Sequence, residues 1–345
     1  MNYIKQLNAF KDYLAFNELP SKAILLWHTL MLINNMVGWK RRFNAPNALV
    51  QQYGGLSKQR ISEAREILVS FGLIHYKRGA NGRAHVQQGC ITSYEELDNM
   101  TGGLQRGDLL VVAARPSVGK TAFALNLAAG HCKQGGSAQV FSLEMGTKQL
   151  LQRMLSAEGA INCRKWRTTA FTEEDYQRAV RAIGVISNWN LDVYDKKRTI
   201  LEIRAAIRKR IHDAPDGNHL VIIDYLQLIT PAKQRDRRDL EVGEITRELK
   251  MLAIELNIPI LLISQLSRNV ESRQNKRPLM SNLHESGNIE QDADVIFFLH
   301  RADYYENNPK QKNRMEVIIS KHRNGLTGTV QLVFEKEYGW FGEVG

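Results

Sequence analysis

Lys120 and Thr121 are the residues with the most chemistry to offer, because of what precedes them. Residues 109–121 read LLVVAARPSVGKT: an apolar run suited to a strand buried on both faces, a short loop, then Gly119-Lys120-Thr121 opening a helical pattern. The backbone N–H groups of such a loop, backed by the positive end of the next helix, wrap a phosphate. On the pattern GxxxxGK(S/T), Lys120 reaches the β- and γ-phosphates of a nucleoside triphosphate and Thr121 offers its hydroxyl to Mg²⁺. Arg115, Pro116, Ser117, Val118 and Gly119 complete the phosphate-binding set. Ala114 stands where the pattern has its first glycine. The rival reading, a plain strand-to-helix turn, leaves a lysine opposing a helix dipole with no anion to justify it.

Open α/β sheets hold ligands beyond the carboxyl ends of their strands, and three further apolar runs end in suitable groups. AQVFSLEM (138–145) brings Glu144, a carboxylate able to orient and deprotonate the water that attacks the γ-phosphorus. HLVIIDY (219–225) brings Asp224, of the type and in the place that holds Mg²⁺. IPILLISQ (258–265) brings Gln265, an amide able to sense the γ-phosphate. Each alone has a bland reading as a strand-end polar residue. Four apolar strands ending in loop, Glu, Asp and Gln are a far more specific set.

In order along the chain, ARPSVGKT, SLEM, IIDYLQLI, ISQLSR, ESGNIEQDADVIFFLHR and KHRNG resemble the DnaB-type replicative helicases over residues 91–342. Ala114 and the lead-in YEELDNMTGGLQRGDL are usual in that family. The resemblance implies an α/β, RecA-like P-loop NTPase core with a mostly parallel sheet, over residues 89–345. It implies ATP and Mg²⁺, a ring of six copies, and 5′→3′ travel on single-stranded DNA at a fork. It also implies that Lys321 and Arg323 act in trans on the triphosphate of the next copy. MEVIISKHR has a period of two, which puts both cations on one face; a solvated basic strand end is the plainer alternative. Around NLHESGN the resemblance places a DNA-holding loop, His284, Glu285, Ser286 and Gly287. His284 stands where the family commonly has arginine, and an unperturbed histidine is mostly uncharged at neutral pH, so backbone amides near Ser286 and Gly287 take more of the phosphate contact.

Residues 1–88 hold 12 Lys and Arg against 4 Asp and Glu, so this quarter of the chain carries +8 of the formal +11. Such asymmetry points to an acidic polymer as partner. SKAILLWHTLMLINN and NALVQQYG read as helices; Ser57 caps a third, with Ile61, Ala64, Leu68 and Phe71 on one face and Lys58, Gln59, Ser62 and Arg65 opposite. LIHYKRG and RAHVQ around Ala80-Asn81-Gly82 read as a hairpin. Helices followed by a hairpin describe a small winged-helix (α+β) domain, loosely similar to DnaD-like replication-initiation proteins. There the Ser57 helix enters the major groove and Lys77, Arg78 and Arg83 on the wing touch phosphate or the minor groove; protein docking is the competing role. Residues 87–90 leave a short connection, and the helical collar and linker helix usual in DnaB-type helicases are not found. A ring then closes through motor-to-motor contacts. RDRRD (235–239) reads as a solvated loop before a helix from Glu241.

Of the 345 residues, 43% are hydrophobic, enough for two globular cores. The apolar runs fall short of a bilayer span and no secretory pattern opens the chain, so a cytoplasmic location is expected. Cys90, Cys132 and Cys163 lack the spacing of a disulfide framework or zinc site. Two functional readings follow: an ATP-driven helicase, with initiator, loader or primase proteins as further partners, or an ATP-controlled DNA-binding initiator, loader or recombinase-like filament that does not unwind.

Overall fold

The computed structural model describes residues 8, 10–11, 14–15, 18–36, 45, 47–70, 73, 89–215, 217–231, 237–283, 286–305 and 313–344. The chain divides into two compact units, Met1–Val86 and Gln87–Gly345.

In the first unit, helices Ser21–Met36, Asn47–Gly54 and Lys58–Ser70 enclose a core of Leu26, Trp27, Ile33, Val50, Ile61, Ala64 and Leu68. Phe10 stacks on Trp27 with ring centroids 3.7 Å apart. Ser57 caps the third helix by accepting a hydrogen bond from the Arg60 amide, 3.3 Å. Lys58, Gln59 and Ser62 are exposed, as expected for a presented face. Arg65 is not: it is buried, and its guanidinium donates to the Ala45 carbonyl at 3.4 Å. Four residues on from Ile61 is only about 40° around a helix, so Arg65 falls on the apolar stripe and does not belong to a DNA-contacting face. Phe71 and the hairpin carrying Lys77, Arg78 and Arg83 lie outside the described residues.

In the second unit nine strands form one sheet in the order β3-β2-β4-β5-β1-β6-β7-β8-β9. These are β1 Leu109–Ala114, β2 Ser137–Ser142, β3 Asn190–Tyr194, β4 His219–Asp224, β5 Ile260–Gln265, β6 Val295–His300, β7 Arg314–His322, β8 Gly328–Glu335 and β9 Trp340–Glu343. Pairings among β1 to β6 are parallel; β7, β8 and β9 add antiparallel. Every residue of β1, β2, β4 and β6 is buried, which explains why these runs read as unbroken apolar stretches. Leu110, Val112 and Ala114 pack with the helix Lys120–Lys133 through Phe123, Leu127 and Ala128. Leu109, Val111 and Ala113 face the opposite layer, with Ile203 and Ile207 of the helix Ile200–Asp213 and Val242, Ile245 and Leu249 of the helix Arg238–Leu256. Each large aliphatic side chain so buried contributes about 1.5–3 kcal/mol. The helix Arg238–Leu256 begins three residues before the expected Glu241, and Arg238 pairs with Glu241 one turn on, 2.6 Å. Thr172 and Thr199 each close a capping box, with Asp175 and Glu202.

Candidate nucleotide-binding site

β1 ends at Ala114, and the chain turns through Ser117 (φ 63°) and Gly119 (φ 127°) into the helix that opens at Lys120. Gly119 is required twice over. Its φ suits only glycine, and a Cβ there would stand 3.1 Å from the Phe334 ring. The Lys120 ammonium folds back onto the loop, donating to the carbonyls of Ala114 (3.0 Å) and Arg115 (3.1 Å). Thr121 Oγ1 donates to Asp224 Oδ2 at 2.7 Å. The end of β2 is tied to the end of β4 by Leu143 N donating to Asp224 O (2.6 Å), and Ser142 Oγ donates to Met145 O (2.7 Å). These two contacts set Glu144 beside Asp224.

Lys120, Thr121, Glu144 and Gln265 line one cleft of about 1260 Å³, and Asp224 reaches it through its bond to Thr121. Pro116, Ser117 and Gly119 line it too; Arg115 and Val118 do not. Val118 is in the core. The Arg115 side chain turns to the other side of the loop, where Nε pairs with Glu271 (2.8 Å) and Nη1 donates to Leu266 O (2.9 Å). Arg153, Arg301, Phe334 and Trp340 also line the cleft. Sequence reasoning missed them, although Arg301 directly follows the apolar run VIFFLH, the signal that identified the other strand ends. Arg301 is buried, pairs with Asp303 (2.7 Å) and lies over the Phe334 ring at 5.2 Å.

Burial dominates the electrostatics. It raises the Asp224 carboxyl, opposed by the Thr121 hydroxyl that donates to it. It also pushes Lys120 down to about 8, against the pull of Asp224 and Glu144. A triphosphate would restore the charged amine, so binding at pH 8 should take up about half a proton. Calorimetry of ATP binding in buffers of differing ionisation enthalpy would measure this uptake; Lys120→Arg should abolish it, and equal uptake in that variant would refute the assignment to Lys120.

Lys321 and Arg323 lie elsewhere. Arg323 follows β7, whose His322 pairs with Val295, which follows Asp294; Val295 in turn pairs with Leu110. This is the amino end of β1, about 15 Å along the strand from Ala114. Lys321 Nζ donates to the carbonyls of Glu290 and Ala293 (2.7 Å), Arg323 donates to that of Gln291, and Arg323 Nη1 is 3.5 Å from Asp294 Oδ1. The acceptors cluster at the carboxyl end of the helix Ser286–Asp292, a favourable place for cations. Nearby, burial and the charge of Asp294 push Asp108 up to about 6, against Lys250 and Arg323. A folded carboxyl above its unfolded value weakens the fold as pH rises from about 4 to 6, and the loss persists above that window. Asp108→Asn should therefore raise stability at pH 8 by about 1–3 kcal/mol, with little gain at pH 4. Urea melts at both values would read this; an equal gain at both would rule out the charge as its source.

His284 and Glu285 lie outside the described residues; Ser286 and Gly287 open the helix Ser286–Asp292. The chain leading to them is fastened to the residues just past Gln265: Leu266 bridges Leu283, and Ser267 N donates to Asn282 O at 2.9 Å. Among the described residues no helix is long and apolar enough to cross a membrane.

A parallel sheet with a phosphate loop after β1 and acids after β2 and β4 defines a RecA-like P-loop domain. Residues 89–343 match the model of the DnaB-like helicase C-terminal domain, and the chain belongs to that family. It is 51% identical over 256 residues to "Replicative DNA helicase DnaC" of Bacillus subtilis (strain 168), and 50% identical over 256 residues to "Replicative DNA helicase DnaB" of Geobacillus stearothermophilus. Both alignments cover 73% of this chain and 56% of the relative, so the chain spans little more than half the length of these proteins. Among solved structures, an isolated ATPase domain superposes with a TM-score of 0.73 at 42% identity, over 83% of this chain and 99% of that one. "The Structure Of A DnaB-Like Replicative Helicase And Its Interactions With Primase" gives 0.73 at 37% identity, over 94% and 76%.

Proposed function

We propose that this chain is an ATP-hydrolysing motor that tracks along single-stranded DNA and unwinds duplex DNA as a ring, six copies by family likeness. The observation that carries the reading is the Thr121–Asp224 hydrogen bond of 2.7 Å beside a lysine folded onto its own phosphate loop. One hydroxyl plus phosphate, with a carboxylate reaching the ion through its water shell, is the sparse set that Mg²⁺ prefers to a dedicated cage. Thr121 and Asp224 would hold the ion, which when bound neutralises charge on the β- and γ-phosphates. Glu144 takes the proton of the attacking water as its oxygen bonds to the γ-phosphorus and the bond to the β-phosphate oxygen breaks, leaving ADP and phosphate. Gln265 senses the γ-phosphate. Because Leu266 and Ser267 pair with Leu283 and Asn282, its displacement is passed to the segment 284–287, which holds the DNA backbone.

Lys321 and Arg323 are too far from their own loop to serve it, so their charge acts on the triphosphate of the neighbouring copy. They rest on the carboxyl end of the helix whose amino end is Ser286, which joins DNA contact in one copy to hydrolysis in the next. The first unit, with Lys58, Gln59 and Ser62 exposed, is a winged-helix module for DNA or an initiator protein; loader and primase proteins are further partners.

Forked DNA with one labelled strand tests the reading. ATP-dependent strand release, lost with a non-hydrolysable analogue, is the expected result. DNA binding and ATPase without release would favour the non-unwinding initiator or filament.

A further inference from the structure

We infer that Asp294 is a positioning residue for Arg323, holding it where it can reach the neighbouring copy's triphosphate. This rests on the proposed action of Arg323 in trans.

Asp294 sits between the end of the helix Ser286–Asp292 and the start of β6, and only 4% of it is exposed. Every part of it is engaged. Its backbone N–H donates to Leu109 O (2.9 Å), and its carbonyl accepts from Arg323 N (2.9 Å). One carboxylate oxygen, Oδ2, accepts from Leu109 N (2.8 Å) and from the Lys250 ammonium (2.5 Å). The other, Oδ1, lies 3.5 Å from Arg323 Nη1. Lys250 is itself anchored by Gly107 O at 2.8 Å.

The carboxylate is therefore fixed by groups that cannot move without disturbing β1 or the helix Arg238–Leu256. Arg323, by contrast, is 44% exposed at its side chain, and its guanidinium is held to its own copy by Asp294 and the Gln291 carbonyl. A cation that must leave one surface for a phosphate on another needs a hold of this kind, its backbone fixed by the Asp294 carbonyl and its guanidinium kept in place by a charge 3.5 Å away that a phosphate can replace. With Asp294 neutral, the guanidinium loses its charge partner and samples rotamers that miss the phosphate. The same strand that carries the phosphate loop at its carboxyl end thus helps to aim, at its amino end, the charge used in the next site.

Asp294→Asn is the informative change, because the amide oxygen can still accept from Leu109 N while the charge is gone. Steady-state ATPase would be measured on the full chain with single-stranded DNA, for this variant, Arg323→Ala and the double variant. The expected result is a kcat lowered about tenfold or more, a fraction of the 10³–10⁵ that such an arginine is worth, with KM for ATP within about threefold. On the Arg323→Ala background the same change should cost nothing further, since a group acting through Arg323 has nothing left to act on. Equal losses on both backgrounds would overturn the inference and mark Asp294 as a prop of β1. Asp294→Glu, which keeps the charge but displaces it by one methylene, should show the same background dependence at smaller size; its absence there would also count against the inference. An unchanged kcat in Arg323→Ala itself would remove the assignment of Arg323 on which all of this rests.

Discussion

Arg323→Ala is expected to lower kcat for ATP about 10³-fold or more, with little change in KM. The magnitude follows from where charge develops: the transferring phosphoryl group spreads negative charge over its equatorial oxygens, and a guanidinium aimed there acts where water is excluded. The site's own cation, Lys120, sits at the base of the loop and, among the described residues, is the only lysine or arginine there that this copy brings to the β- and γ-phosphates by the loop pattern. Nucleotide binding should survive, because Thr121, Asp224 and Lys120 lie at the far end of β1 from the substitution. Steady-state ATPase, together with binding of a fluorescent nucleotide, separates the two effects. A loss below tenfold would mean that the basic end of β7 is a solvated surface, with hydrolysis complete within one copy.

Glu144→Gln should lower kcat about 10²–10⁴-fold while leaving nucleotide binding and assembly intact. The amide has nearly the shape of the carboxylate but cannot take the proton of the attacking water. Glu144 is exposed on the cleft and held in a tight turn by Ser142, so its replacement disturbs no core. The variant should remain bound to ATP and DNA without turning over. A burst of product formation at the wild-type rate would place the base elsewhere.

The phosphate loop, Glu144, Asp224 and Gln265 were legible because each ends a strand whose burial on both faces forces an unmistakable apolar run, and parallel sheets gather such ends on one edge. The alternation of β7 was legible for the opposite reason, since only one of its faces is fully buried: Met315, Val317 and Ile319 are buried, their neighbours less so. Arg65 reads as a presented residue by its charge alone, yet four residues on from Ile61 it lies on the apolar stripe and is buried there. Arg115 occupies its loop position as expected, yet its side chain serves the segment after Gln265, a choice decided by Glu271, 156 residues later. Pairings of that range, like Asp108, Lys250 and Asp294 around Arg323, depend on register between distant strands and leave no local trace. Arg301 follows the parallel strand β6 and carries the same signal as the other strand ends, whereas Phe334 and Trp340 reach the cleft because β7 to β9 extend the sheet antiparallel, something no single window of sequence encodes.

What everything depends on is that the triphosphate is bound by one copy and acted on by the next. The most direct measurement is DNA-stimulated ATPase in mixtures of wild type with Arg323→Ala or Glu144→Gln at constant total protein. Coupled neighbours predict rates that fall well below the straight line joining the pure proteins, so that a minority of variant silences the mixture. A rate that declines in strict proportion to the wild-type fraction, for both variants, would show each copy working alone and contradict the account.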